Sequence, residues 1–284
     1  MTSQAVISLI IPAYNEARII ERTLSKLLTG NALIDLRDGK WQAILIANGC
    51  TDNTADIVRT GWPDVTLIEL DEGSKTGALR TGAAIATGQT WIVMDADIEV
   101  GPAEIATLHD GVQTEAAVAA VGDFTPNLTD ASLPVRLFYA AWAHHPYFDG
   151  GKFGGCYALK SSEAGYLLQT IPDITNDDEW MSREIAKLGQ VVETDAIIQT
   201  NAPKSLGDLV RVRQRVYRGN RELEQASQPP QNSTTPPPVG LMQRLAVRPH
   251  LWLAGLCYIA INLVAKINNL AARDHQKWEQ AERY

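Results

Sequence analysis

Two aspartates with one residue between them, Asp95 and Asp97, have the types and spacing to bind a metal ion. They follow residues 91–94, Trp-Ile-Val-Met, an apolar run typical of a buried β-strand. Because alternate residues of an extended chain point to the same side, both carboxylates could reach one divalent cation that also holds phosphate oxygens. Aspartates that only cap a turn would produce the same pattern, so this pair alone does not decide the chemistry.

A second acidic cluster could supply a general base. Asp177, Asp178 and Glu179 stand together before a helix predicted over residues 180–188. A carboxylate in such a position can take a proton from an attacking hydroxyl group. Acidic residues in a first helical turn are also stabilised by the helix dipole, so simple capping is the alternative.

Basic residues are concentrated between residues 204 and 250, in a chain whose formal net charge is −8. Eight Lys and Arg residues oppose three Asp and Glu residues there, so the segment carries a net charge of +5. Such a segment is either a solvated helical surface or a patch that binds phosphates of a substrate or of lipid headgroups. The acidic balance of the whole chain argues against a general nucleic-acid-binding protein.

The elements that would position these residues follow the pattern of a parallel sheet. Four strands alternate with helices, over residues 5–11, 43–47, 65–70 and 91–94. Asn15 is predicted to cap the first helix, which should run to about Leu28. Ligands of such sheets bind outside the carboxyl ends of the strands, so the polar turns after Ile11, Ala47 and Met94 should converge on one crevice. Further predicted elements are a helix over 76–86, a strand over 118–123 and a glycine-dense loop over 150–155.

The length and composition allow one large domain with an appendage, since the chain has 284 residues and is 45% hydrophobic. Its three cysteines form neither an even disulfide framework nor a metal-type spacing, which favours a reducing compartment. The apolar segment 5–11 is interpreted as a buried strand rather than a signal peptide, because no Lys or Arg precedes it and polar residues follow at once.

The C-terminal region has the character of a membrane-docking unit. Residues 228–238 are rich in Pro, Gln, Ser and Thr, the composition of a disordered linker. Residues 251–265 are apolar except for Asn262, and as a helix they would span about 22 Å, less than the roughly 30 Å hydrocarbon core of a bilayer. We expect an interfacial or re-entrant membrane helix, and a core helix packed on the main domain is the close alternative.

The polar turns and acidic pairs after the predicted strands resemble, in their order and spacing, those of the family-2 glycosyltransferases. These are inverting enzymes with the GT-A fold, an α/β fold with a Rossmann-like mixed sheet flanked by helices. The likeness covers roughly residues 5–225. The matching segments are Ile11-Pro12-Ala13-Tyr14-Asn15-Glu16, Asn48-Gly49-Cys50-Thr51-Asp52, Lys75 with Gly77-Ala78-Leu79, Asp95-Ala96-Asp97, Gly154-Gly155 and Asp177-Asp178. We therefore predict a GT-A domain over 1–225, a Pro-rich linker over 226–240 and a C-terminal membrane-associated helical segment over 241–284.

The resemblance implies a role for each matching position. Asp97 would coordinate Mg²⁺ or Mn²⁺ beside a diphosphate, and Asp95 would approach the ribose or the water shell of the metal. Asp178 would be the general base, with Asp177 as the second choice. The residues expected to bind the nucleotide sugar are Pro12, Ala13, Tyr14, Glu16, Asn48, Asp52, Lys75, Asp95, Gly154, Gly155, Arg215 and Arg218.

The function that the resemblance implies is the transfer of a sugar from a nucleotide-diphosphate sugar to an acceptor hydroxyl group. The acceptor would be lipid-linked or a polysaccharide under synthesis, met at the cytoplasmic face of the cell membrane. Many members carry two aspartates where this chain has Ala47-Asn48, so the nucleotide is not fixed, although Asn48 still offers a donor and an acceptor. The Gln-x-x-Arg-Trp motif of processive polymerases is only approximated by residues 214–218, so a single transfer is expected.

Two other readings stay open from the residues. A nucleotidyltransferase of similar fold would need a glycine-rich loop with a basic residue after the first strand, and Pro12-Ala13-Tyr14-Asn15 is not such a loop. A catalytically inactive homologue that acts as a membrane-bound partner is favoured by Ala47-Asn48. The intact Asp95, Asp97 and Asp178 argue against it.

Overall fold

The computed structural model describes residues 5–149, 151, 153–226 and 240–271. The chain divides into two compact units. Unit 1 contains the described residues of Met1–Thr125, Gly151–Asp173 and Asp177–Thr200, and unit 2 contains those of Pro126–Gly150, Ile174–Asn176 and Asn201–Tyr284. The domain boundaries that the sequence suggests at residues 225 and 240 stay a prediction, and residues 227–239 of the predicted linker lie outside the described residues.

Within the described residues, seven strands form one mixed sheet in the order β3-β2-β1-β4-β6-β5-β7. The strands are β1 Ile7–Ala13, β2 Trp41–Asn48, β3 Thr66–Leu70, β4 Thr90–Met94, β5 Ala117–Asn127, β6 Cys156–Lys160 and β7 Gln190–Asn201. Strand β1 pairs in parallel with β2 and β4, and β2 pairs in parallel with β3. Strand β6 pairs antiparallel with β4 and β5. The predicted mixed α/β sheet with four parallel strands is confirmed.

Helices of unit 1 cover both faces of this sheet, and the described residues of the two units form eleven α-helices. In chain order they are α1 Ile20–Leu27, α2 Asn31–Arg37, α3 Thr54–Gly61, α4 Lys75–Ile85, α5 Pro102–Gly111, α6 Leu133–Trp142, α7 Ser161–Thr170, α8 Asp177–Ile185, α9 Leu206–Ala226, α10 Leu241–Ala246 and α11 Trp252–Ala271. Alternate residues of β1 face opposite sides, so Leu9 and Ile11 join one core with α1, α3 and α5. Ile10 joins the other core with α4, α7 and α8. Every residue of β1 is buried, as a strand with helices on both faces requires.

Several element boundaries differ from the sequence predictions. Asn15 does not cap α1, which begins at Ile20. The Asn15 backbone has a φ of 55°, and its side-chain carbonyl accepts a hydrogen bond from the Thr51 backbone N–H. Asn15 therefore joins the loop after β1 to the loop after β2. Helix α8 begins at Asp177, three residues before the predicted start, and the acidic cluster therefore forms its first turn.

Unit 2 contains four of the helices, α6, α9, α10 and α11. Its core packs Val135 and Phe138 of α6 against Leu209 of α9 and Ile261 of α11. Helix α11 has 20 residues and is longer than the 15 residues predicted, because it continues past Lys266 to Ala271. Its length of about 30 Å matches a hydrocarbon core. Together with the turn before it, over Pro249–Asn269, it is the one helix in the described part of the chain that could cross a membrane by length and composition.

Candidate functional site

The aspartates after β4 are held at the carboxyl end of the sheet by backbone contacts. The Asp95 N–H donates a hydrogen bond to the Gly155 carbonyl at 2.7 Å, and the Thr23 hydroxyl donates to the Ala96 carbonyl at 2.8 Å. Asp97 is almost fully buried, whereas Asp95 is partly exposed. The loop that carries both carboxylates is therefore fixed from two sides.

A glycine is required opposite Asp95. Gly155 has a φ of 70°, in the left-handed region that side chains rarely adopt. A Cβ atom there would lie 2.6 Å from Cδ1 of Ile98, so a larger residue would also displace the loop of the aspartates. The predicted site residue Gly155 thus has a structural reason to be glycine, and Gly154 beside it is buried.

Lys75 joins the end of β4 to the start of α8. Its Nζ lies 2.8 Å from Oδ1 of Asp95 and 3.0 Å from Oδ2 of Asp177. Burial lowers the pKa of Lys75, but the carboxylates of Asp177, Asp95 and Asp178 outweigh that effect and leave the pKa well above its usual value. Lys75 is therefore a permanent cation among three carboxylates.

The three acidic residues of α8 have different surroundings. Asp177 is buried, and burial raises its pKa although the Lys75 ammonium lowers it. Glu179 accepts a hydrogen bond from Nε of Arg183 on the surface of the same helix, at 2.8 Å. Asp178 is partly exposed. Its carboxylate is one of the three that raise the pKa of Lys75.

Tyr157 of β6 is a residue that sequence reasoning missed. Its hydroxyl group is buried and makes no hydrogen bond within the described structure. Burial raises the pKa of Tyr157 well above its usual value, and the carboxylates of Asp178 and Asp177 raise it further. No local signal identifies this tyrosine, because its neighbours in sequence are those of an ordinary buried strand.

Asp52 ties the loop after β1 to the loop after β2. Its Oδ2 accepts from the Ala17 N–H at 3.1 Å, and its Oδ1 accepts from the N–H and hydroxyl of Thr54. The Thr54 hydroxyl in turn accepts from the Glu16 N–H at 2.8 Å. These contacts fix the predicted nucleoside-binding segment Pro12–Glu16 from behind, and a direct contact of Asp52 with the nucleotide stays a prediction.

Asn48 connects the loop after β2 to the loop that leads into α4. Its Oδ1 accepts a hydrogen bond from the Ser74 N–H at 2.7 Å, and Ser74 caps α4 by accepting from the Gly77 N–H at 3.0 Å. The two loops touch at Gly49, which has a φ of 66° and whose Cβ would lie 2.5 Å from the Gly73 nitrogen. Asn48 therefore positions the turn that presents Lys75, and its predicted contact with the base stays a prediction.

A clamp formed by Asp173, Thr76 and Arg80 holds the approach to α8 against α4. Oδ1 of Asp173 accepts from the Thr76 hydroxyl at 3.0 Å and from the Arg80 guanidinium at 2.6 Å. Arg80 also donates to the Ile171 carbonyl at 2.6 Å. Hydrogen bonds from Arg80 and Thr76 lower the pKa of Asp173. Sequence reasoning missed this clamp because its residues are more than 90 positions apart.

The remaining predicted site residues, Arg215 and Arg218, lie on α9 in unit 2. Both are partly buried. Unit 1 brings together the three predicted polar turns, Lys75, Asp95, the Gly154-Gly155 loop and the acidic turn of α8, through the contacts above. A role for Arg215 and Arg218 in binding the nucleotide sugar stays a prediction.

The carboxylates after β4 fit a cation whose other ligands come from a substrate. Among the described residues, no group of three or more His, Cys, Asp or Glu side chains is arranged to hold a metal ion. Mg²⁺ is commonly held by one or two carboxylates together with substrate phosphates. Asp97 and Asp95 are carboxylate residues of the kind that this coordination needs. Oδ2 of Asp177 is buried and pairs with the Lys75 ammonium, 3.0 Å away.

Curated proteins that are similar to this chain match it over only part of their length. A dolichyl-phosphate beta-glucosyltransferase of Trichomonas vaginalis is 23% identical over 177 residues, covering 58% of this chain and 53% of the relative. An undecaprenyl-phosphate 4-deoxy-4-formamido-L-arabinose transferase of Shewanella sediminis is 28% identical over 132 residues, covering 45% of this chain and 38% of the relative. The chain thus spans about half the length, or less, of these curated relatives.

The fold and the family follow from two further matches. The structure of a mannosyltransferase from Pyrobaculum calidifontis, in complex with GDP-Man and Mn²⁺, is similar with a TM-score of 0.57 and 20% identity, covering 96% of this chain and 77% of that one. This likeness, with the mixed seven-stranded sheet, establishes the predicted GT-A fold. The family model described as glycosyl transferase family 2 matches residues 8–152, half of the chain. The chain therefore belongs to glycosyl transferase family 2.

Proposed function

We propose that this protein is an inverting glycosyltransferase that moves one sugar from a nucleotide-diphosphate sugar to a lipid-linked acceptor. The observation that carries the proposal is the cluster of Lys75, Asp95 and Asp177 at the carboxyl edge of the sheet, with Asp178 beside it. Membership of the family and the donor named in the mannosyltransferase structure, GDP-Man, support the same reaction.

The donor diphosphate is expected to bind at Lys75. A lysine has three N–H donors, and Asp95 and Asp177 take two of them, so the third donates to a phosphate oxygen. A divalent ion held by Asp97 and Asp95 would supply Lewis-acid stabilisation of the leaving diphosphate. The Mn²⁺ named in the mannosyltransferase structure supports a divalent ion, and we propose Mg²⁺ or Mn²⁺.

The nucleoside is expected to lie over the braced loops after β1 and β2. Pro12, Ala13, Tyr14 and Glu16 would form its cradle, fixed from behind by the contacts of Asp52 and Thr54. Asn48 would tune this cradle indirectly, because its Oδ1 is bonded to the Ser74 N–H. Because these loops are already held in place, less conformational entropy is lost when the donor binds.

Asp178 is proposed as the general base for an acceptor hydroxyl. It belongs to the first turn of α8 and is partly exposed, whereas Asp177 is buried. The carboxylate takes the proton while the hydroxyl oxygen attacks the anomeric carbon on the face opposite the diphosphate, so the configuration inverts.

A phosphate acceptor is a second candidate, favoured by the names of the two relatives, which act on dolichyl phosphate and undecaprenyl phosphate. A phosphate monoester is already largely ionised at neutral pH, with a second pKa of about 6, so its oxygen needs no general base. The two candidates therefore differ in their dependence on Asp178.

The Asp178→Asn variant separates these candidates, with Glu179→Gln as its control because Glu179 pairs with Arg183 at the surface. A panel of nucleotide sugars, assayed for release of the nucleoside diphosphate, selects the donor. With a hydroxyl acceptor, Asp178→Asn should lower the transfer rate about 10²–10⁴-fold and leave donor binding unchanged. A loss below tenfold indicates a phosphate acceptor. No transfer from any nucleotide sugar to any lipid acceptor would refute the proposed function.

The alternatives fit the site less well. A nucleotidyltransferase would need a basic glycine-rich loop after β1, where this chain has the braced segment Tyr14-Asn15-Glu16. The intact Asp95, Asp97 and Asp178 argue against an inactive homologue. We further propose that the protein works at the cytoplasmic face of the cell membrane, since its cysteines are free and the named relatives use lipid phosphates.

A further inference from the structure

Helix α11 presents a continuous row of large apolar side chains to the outside of unit 2. Seven of them are between 47% and 65% exposed. We call this row the apolar ridge; it consists of Trp252, Leu253, Leu256, Ile259, Leu263, Val264 and Ile267. Their spacing follows the helical repeat, so they share one face of α11. Val247, just before the helix, is exposed as well. An apolar surface of this extent on a protein marks an interaction site.

Helix α11 does not have the polarity of a surface helix in water, because most of its exposed side chains are apolar although Lys266 and Asn268 are also exposed. Its polar residue Asn262 is buried against α9, where its Oδ1 accepts from Nε of Arg213 at 2.9 Å and from the Tyr217 hydroxyl at 2.7 Å. The residues of the apolar ridge, in contrast, face outward. A surface helix in water instead turns its apolar side to the core and its polar side to the solvent.

The inner face of α11 is committed to protein along most of its length. Near its first turns the Cys257 thiol contacts the Pro134 carbonyl of α6 at 3.4 Å, and the Tyr258 ring stacks on Phe138 with centroids 4.9 Å apart. About four turns from its start, Nζ of Lys266 lies over the Tyr217 ring of α9, 5.3 Å from the ring centroid. Only one side of α11 is therefore available to contact solvent, a membrane or another protein.

This packing is incompatible with α11 crossing a bilayer. Helix α9, against which it packs, carries five arginines, Arg211, Arg213, Arg215, Arg218 and Arg221. A spanning α11 would carry these arginines into the hydrocarbon core, where a charged side chain is costly. A helix lying in the plane of the interface keeps them in the headgroup layer or in water.

The composition of the chain indicates what covers the apolar ridge. The two longest segments outside the described residues, 227–239 and 272–284, consist mostly of polar or charged residues, so they are poorly suited to cover a row of Leu and Ile. By sequence, unit 2 has thirteen Lys and Arg against eight Asp and Glu, a net charge of +5, whereas the rest of the chain has twelve against 25, a net charge of −13. A basic surface around an apolar face is complementary to anionic lipid headgroups.

We infer that unit 2 docks on a bilayer that contains anionic lipids, with α11 lying in the membrane plane and the apolar ridge buried among the acyl chains. This inference deepens the proposed function, because such docking would hold the enzyme where a lipid-linked acceptor resides. Docking is nevertheless independent of catalysis, since it involves only the surface of unit 2.

Vesicle co-sedimentation of the full chain tests the docking surface. The ridge variant is Leu253→Gln/Leu256→Gln/Leu263→Gln, and the control is Ile34→Gln/Leu133→Gln/Ile197→Gln, whose residues are between 55% and 69% exposed outside the apolar ridge. Wild type and control should bind phosphatidylglycerol-containing vesicles equally, and the ridge variant about tenfold more weakly or worse. All binding should weaken in neutral vesicles or high salt. Equal binding by the ridge variant would overturn the inference, provided that circular dichroism shows all three proteins folded.

Protease access tests the in-plane orientation. Cleavable tags are placed at both termini, and cytoplasm-side-out membrane vesicles are prepared from the expressing bacterium. An in-plane α11 leaves both tags on the same side, so both should be cleaved by added protease. Protection of the C-terminal tag alone would show a crossing helix and overturn the orientation.

Two further results distinguish this inference from its rivals. If wild type ignores all vesicles and sediments as a dimer that the ridge variant dissociates, the apolar ridge binds a second copy and the inference is wrong. If the ridge variant loses vesicle binding but still turns over the soluble donor, the docking surface is supported and is separate from catalysis. If wild type binds vesicles but transfers no sugar, the docking inference stands and the proposed function is wrong.

Discussion

At the scale of single residues, Lys75 determines the electrostatics of the candidate site. Two carboxylates contact its ammonium group, at 2.8 Å and 3.0 Å, and Asp177 is buried there. Removing the cation would leave Asp177 buried without its ion-pair partner, and an uncompensated buried charge is more costly than a lost surface pair. Lys75 therefore stabilises unit 1 as well as binding the donor in our proposal.

We predict that Lys75→Met lowers the free energy of unfolding by about 1–3 kcal/mol at pH 7.5, a range reduced because the lysine is partly exposed. The deficit should shrink as the pH falls, because burial raises the pKa of Asp177 and its protonation removes the uncompensated charge. Urea denaturation at pH 7.5 and pH 5 measures both effects. Lys40→Met is the control, since Lys40 pairs with Asp35 at the surface. A deficit no larger than that of the control would contradict this account.

At the scale of elements, the relation between α4 and α8 is fixed by the clamp of Asp173, Thr76 and Arg80. Helix α4 begins at Lys75 and α8 begins at Asp177, so a shift between these two helices would separate the ammonium from its carboxylate. Asp173 does not enter the proposed chemistry. It acts as a positioning residue, because its partners Thr76 and Arg80 belong to the helix that presents Lys75.

We predict that Asp173→Ala lowers kcat several-fold while the KM for the donor changes little, because the base and the cation lose their relative position. The low pKa of Asp173 in the folded state means that its contribution to stability is present above about pH 4 and is lost as the pH falls further. Asp64→Ala, which removes a surface pair with Arg37, is the control. Unchanged kcat in Asp173→Ala would show that the clamp is dispensable.

The sequence predicted the elements whose patterns are local. Buried runs such as residues 91–94 specify strands, and the polar turns after β1, β2 and β4 do meet, through Asn15, Asn48 and Lys75. Contacts between distant positions were not predictable from one sequence. Asn15 was expected to cap α1, but its partner Thr51 is 36 residues away, and the clamp joins positions 80 and 173. Likewise, the apolar run ends before Lys266 but α11 continues to Ala271, and the Lys266 ammonium lies over the distant Tyr217 ring.

At the scale of the whole molecule, chemistry and docking are assigned to different parts of the chain. Unit 1 holds the acidic site residues and most of the negative charge, and unit 2 holds the apolar ridge and a net positive charge. This division accounts for an acidic protein that we nevertheless expect at an anionic surface. In our proposal, the carboxylates after β4 serve a metal-dependent sugar transfer.

The transfer rate of Asp97→Asn tests this claim most directly, measured with the selected donor in Mg²⁺ and in Mn²⁺ and compared with Asp195→Asn, an exposed carboxylate on β7. Asp97→Asn should lower kcat by several orders of magnitude, because the amide no longer neutralises and holds the cation beside the leaving diphosphate. Its thermal unfolding midpoint should stay close to that of wild type, and Asp195→Asn should transfer normally. Undiminished turnover by Asp97→Asn, above all in the presence of a chelator, would contradict the assignment of this site.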